Sequence, residues 1–89
     1  MDAVHREIME EKAGALLRTE RRLLDALAAY REQPAASQQA AAELMWDVVD
    51  AVTSLVVQRE ACGLRDTKHV FKFYDVPREV VARIGIRRN

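Results

Sequence analysis

Eighty-nine residues and 10.1 kDa hold one small domain, and fourteen Lys+Arg balance fourteen Asp+Glu. With 49% hydrophobic and 31% charged residues the mixture is that of a globular chain; a disordered one would be poorer in apolar residues and unbalanced in charge. No apolar run approaches the roughly 18 residues of a membrane span, and Met1-Asp2 leads into charges rather than a signal peptide. The lone Cys62 excludes an internal disulfide framework and a Cys-rich zinc site. These limits predict a soluble, cytoplasmic protein with residues 1–89 in one domain. They name no activity.

The first predicted element is a helix over 2–32. Met9, Ala13, Leu16, Leu23, Leu27 and Tyr30 recur at intervals of three, four and seven, the spacing of one helical face. Asp2 can cap its start, Arg31 suits the negative end of its dipole, and Pro34 enforces its stop. A second helix is predicted over 35–62, starting at Ala35 or Ser37. Gly63 and Leu64 follow it as in a Schellman turn. Its stripe of Ala41, Met45, Val48, Val52, Leu55 and Cys62 lies beside a second one of Trp46, Val49, Val56 and Val57. So wide an apolar arc is more than one partner helix covers.

A short connection makes the two helices antiparallel neighbours. With the turn near residues 33–36, Arg18, Arg21 and Arg22 come level with Asp47 and Asp50. The plainer and preferred reading of those charges is a solvated face worth little per pair.

Asp66 is a natural N-cap for a short helix over 67–74, although Val70 to Tyr74 are also rich in strand formers. Pro77 at a first helical position opens the last short helix, 77–84, ended by Gly85. The fold class expected is therefore all-α: a long antiparallel helical hairpin followed by two short C-terminal helices. Charge divides along it. Residues 1–63 hold seven Lys+Arg against eleven Asp+Glu, and residues 64–89 seven against three.

No catalytic motif is present: no Gly-rich phosphate loop, no HExxH, no Cys-x-x-Cys and no nucleophile elbow. His5 and His69 lack a second ligand at metal spacing, and Cys62 lies in an apolar stripe beside a helix C-terminus, where a thiolate is disfavoured. No enzyme, metal or cofactor is expected. Two charged residues break the apolar stripes: Glu20 between Leu16 and Leu23, and Arg59 between Leu55 and Cys62. In the expected register they stand roughly 15 Å apart along the axis, too far to pair. Arg59 is then expected near Glu10 or Glu11, and Glu20 near Val49. A buried carboxylate needs a partner. For Glu20 the candidates are Arg65, Lys68, Lys72 or a residue of a second subunit, against the plainer alternative of a wet edge of the bundle.

The stretches Gln58-Arg59-Glu60-Ala61-Cys62-Gly63-Leu64-Arg65-Asp66 and Tyr74-Asp75-Val76-Pro77-Arg78-Glu79-Val80-Val81-Ala82-Arg83-Ile84-Gly85 resemble a family of short, uncharacterised helical proteins from bacteria, a domain of unknown function. The resemblance covers most of the chain. It implies an all-helical fold and a bacterial origin, and no activity.

Two functions compete. In the first the chain is a helical interaction module, a homodimer whose hairpins form a four-helix bundle, with an unidentified protein as the other kind of partner. Its candidate interface or buried polar residues are Glu20, Trp46, Val49, Val56 and Arg59. In the second, residues 67–84 form a helix-turn-helix-like unit that binds DNA through a basic surface of Arg65, Lys68, Lys72, Arg78, Arg83, Arg87 and Arg88. Phe71 occupies the inter-helix position where such motifs place a small residue, and a pI near 6.7 is low for DNA binding. Neither long helix carries the cationic polar face of a membrane-surface helix.

Overall fold

A computed structural model describes residues 3–32 and 37–85. Helix α1 spans Ala3–Glu32, α2 spans Gln38–Ala61, α3 spans Thr67–Phe73 and α4 spans Arg78–Val81. Among the described residues all regular structure is helical, as the apolar spacing predicts. The molecule measures 53 × 25 × 20 Å, its long axis set by the two packed helices of the hairpin.

Local chemistry fixes the ends. Ser37 caps α2 by accepting a hydrogen bond from the Ala40 N–H at 3.0 Å, so the helix starts at Gln38 rather than at 35; residues 35 and 36 lie outside the described set. At the other end Leu64 N–H donates to Arg59 O at 2.8 Å and Gly63 N–H to Glu60 O at 2.9 Å. Gly63, at φ 85°, supplies the left-handed residue of this Schellman turn. Asp66 caps α3 through His69 N–H at 3.0 Å, and the strand formers of Val70–Tyr74 fold as helix and turn. Asp75, at φ 53°, then ends α3 in the same way as Gly63 ends α2. Val76 N–H reaches Phe71 O, and Asp75 N–H reaches Lys72 O.

The last helix is shorter than expected. Pro77 lies outside it as the N-cap residue, and regular helix covers only Arg78–Val81. Arg83 and Ile84 donate three residues back, to Val80 O and Val81 O, so the chain continues in the tighter 3₁₀ pattern toward Gly85.

Three stretches build the core. Leu23 and Leu27 come from α1, Val48, Val49, Ala51, Val52 and Leu55 from α2, and Val70, Val76 and Val80 from the C-terminal segment. Helix α2 thus packs against both α1 and α4, and of its second apolar stripe Val49 is buried. Trp46 and Val56 pack against this core half-buried, whereas Val57 stays exposed.

The hairpin register differs from the expected one. Arg22 Nη1 donates to Ser54 Oγ at 3.0 Å, and Lys12 Nζ reaches Ala61 O at 3.5 Å. Relative to the expected level at Asp47 and Asp50, α2 has slid by a turn or more, in keeping with its later start. One consequence concerns the N-terminal end of α1. Residues 3–13, including Met9 and Ala13 of the predicted stripe, are all exposed because α2 stops level with Lys12.

Candidate functional site

The slid register brings Glu20 and Arg59 to one place. Both line a hollow of about 210 Å³ with His69, Val70, Phe73 and Tyr74, which corrects the expected 15 Å separation. Glu20 accepts a hydrogen bond from the Tyr74 phenol, whose residue caps the C-terminus of α3. Arg59 stands close enough for its charge to act on the same phenol, and its buried Nε has no hydrogen-bond acceptor. Sequence reasoning picked out Glu20 and Arg59 because charge interrupts an apolar stripe. Tyr74 carries no such signal, since a tyrosine at that spacing reads as apolar cover.

Burial pushes the Tyr74 pKa up to about 12, assisted by its hydrogen bond to Glu20 and by that carboxylate's charge; Arg59 pulls the other way. A second pair joins the same two parts of the chain in the opposite sense. Tyr30 of α1 and Glu79 of α4 stand close enough to interact, and the Tyr30 pKa is raised by burial first, then by Glu79. Between the two pairs, Arg31 Nη2 donates to Tyr74 O at 3.3 Å and to Asp75 O at 2.6 Å. The cation thereby serves carbonyls at the end of α3, which have no partner within their own helix.

The remaining candidates separate by exposure. Val49 is buried in the core, so it forms no accessible surface, and Trp46 and Val56 are half-buried against that core. Arg65, Lys68, Lys72 and Arg78 are exposed. Lys68 and Lys72, four residues apart, share one face of α3. Arg83 is half-buried and donates to Glu79 O at 2.8 Å; Arg87 and Arg88 lie outside the described residues. No group of three His, Cys, Asp or Glu among the described residues could hold a metal ion. No helix there is long and apolar enough to cross a membrane.

A surface that sequence reasoning passed over lies on the outer side of α1. Leu17 and Leu24 are 66% and 45% exposed, and Phe73 of α3, which shares a groove with Leu24, is 68% exposed. Leu24, Ala28 and Phe73 edge a groove of about 690 Å³, with Leu27 and Tyr74 in its lining and Arg31 and Glu32 toward one end. Leu17 and Leu24 were legible only as flanks of the apolar stripe. Their exposure follows from the direction in which Leu23 and Leu27 turn inward.

Fold and surface together define a small all-α protein: a helical hairpin closed by two short C-terminal helices, with charged and aromatic residues at the joint. The chain belongs to the family of unknown function DUF6665, whose model matches residues 1–88. Neither a curated protein nor a solved structure matches it.

Proposed function

We propose that the chain is a small, non-enzymatic helical interaction module that self-associates through its hairpin. The observation that carries this reading is the exposed apolar strip of Leu17, Leu24 and Phe73 on a molecule whose core is otherwise closed by its own tail. Exposed leucine and phenylalanine at the edge of a groove mark a surface with a partner. The interface is thereby placed on the outer face of α1 rather than on the second stripe of α2, where Val49 is buried. A homodimer of hairpins brings four long helices together, and the proposal places it in the cytoplasm of a bacterium, with no cofactor.

The test is molar mass by light scattering across a concentration series of the intact chain. Twice 10.1 kDa at micromolar concentration is the expected mass. A constant monomer mass to millimolar concentration rejects the reading. Duplex DNA is the competing partner, supported by the exposed Arg65, Lys68, Lys72 and Arg78. The four residues of α4 offer only about 6 Å of helix to a groove. A salt-sensitive mobility shift with random duplex would favour DNA over self-association.

A further inference from the structure

We infer that two copies of the chain pair antiparallel along the outer face of α1, with Leu17 of each copy set against Leu24 of the other. The inference rests on the self-association proposed above and adds its geometry. The warrant is a palindrome in the exposed residues of this face. When one α1 is turned end for end against another about the Glu20–Arg21 peptide, Leu17 meets Leu24 and Ala13 meets Ala28. In the same register Glu10 meets Arg31 and Glu20 meets Arg21. Each of these apolar residues finds an apolar residue, and each of these charges finds its opposite.

The face is a real one on the helix. Glu10, Leu17, Leu24 and Arg31 recur at intervals of seven, drifting only about 20° per step, the drift that a left-handed crossing of two helices absorbs. Ala13 and Ala28 lie between them and are small enough for close approach of the axes. All of these residues are exposed except Glu20, which is half-buried. The groove edged by Leu24, Ala28 and Phe73 lies where the second copy's Leu17 arrives, and Arg31 lines it toward the end where the second copy's Glu10 arrives. Arg31 gives Nη2 to the Tyr74 and Asp75 carbonyls, which leaves its other N–H donors for a carboxylate.

Charge also decides direction. Parallel, in-register pairing of the same face sets Glu10 on Glu10, Arg21 on Arg21 and Arg31 on Arg31, and like charges across a helix interface oppose association. An isologous twofold contact, in which one patch serves both subunits, is the closed arrangement this pattern permits.

The experiment uses the full chain with Cys62→Ser, carrying either Leu17→Cys or Leu24→Cys. Mixed and mildly oxidised, the two chains should yield the 17–24 disulfide in clear excess over the 17–17 and 24–24 products. In the wild-type background Leu17→Glu should weaken dimerisation at least tenfold by light scattering. Its circular dichroism should match the wild type, because Leu17 is exposed in the single chain. A dimer that survives Leu17→Glu, or one whose symmetric disulfides predominate or which forms none, overturns this seam while leaving self-association standing. A constant monomer mass overturns both.

Discussion

Tyr74 donates its phenolic proton to the carboxylate of Glu20, tying the end of α3 to the middle of α1 across fifty-four residues of sequence. Glu20 would otherwise be a half-buried carboxylate in an apolar stripe, and a phenol satisfies it without adding a second charge. Tyr74→Phe keeps the ring and removes the donor. A loss of about 1–2 kcal/mol is expected from a hydrogen bond to a charged acceptor, measured by urea unfolding. Tyr74→Phe with unchanged stability would mean that water replaces the phenol at no cost.

Alkaline pH should loosen the same joint. Tyr74 and Tyr30 both hold their protons more tightly when folded than the ordinary tyrosine pKa of 10.0. A group raised in this way contributes stability that is fully present below pH 10 and lost as pH rises through its folded value, about 12 for Tyr74. Other groups also titrate there, so the informative quantity is a difference. The stability gap between wild type and Tyr74→Phe should narrow from pH 9 to pH 12; a constant gap would refute the linkage.

Asp75 sits at φ 53°, where a side chain costs roughly 1 kcal/mol that glycine does not incur. Asp75→Gly should therefore raise the melting temperature, offset in part by glycine's greater freedom in the unfolded chain. The backbone carbonyl that Arg31 uses is retained in the variant. A lower melting temperature would show that the Asp75 side chain has a stabilising partner.

Leu27 and Leu17 occupy one helix on opposite terms. Leu27 is fully enclosed by the core, so Leu27→Ala should cost about 2–5 kcal/mol through lost burial and a residual cavity. Leu17→Ala should cost less than about 0.5 kcal/mol at concentrations where the chain is a monomer. Denaturant melts of the two variants, compared at one dilute concentration, check the contrast. Equal losses would mean that Leu17 is covered in the folded chain.

Much of this architecture is local and so is readable in the sequence. The Gly63-Leu64 turn, the Asp66 cap and the 3.6-residue spacing of Leu23, Leu27, Val48, Val52 and Leu55 each declare themselves within a few positions. Register does not, because it depends on where α2 begins, and Ser37 rather than Ala35 sets that point. The slide brings Glu20 and Arg59 together and strips cover from Met9. Asp75 took the left-handed turn position without the glycine that would have announced it. Pairings such as Glu20–Tyr74 and Tyr30–Glu79 are products of three-dimensional closure, with no spacing rule behind them.

The core draws on Leu23 and Leu27 early in the chain, Val48 to Leu55 in the middle, and Val70, Val76 and Val80 late. Its innermost layer is complete only when the last of these has docked. A chain ending at Gly63 would lack Val70, Val76 and Val80 of that core, so the hairpin is a part of the folding unit rather than a unit in itself. Melting should then be one concerted event. Trp46, half-sunk against that layer, reports tertiary closure by its fluorescence, and its transition should coincide with the loss of helical dichroism from α1 and α2.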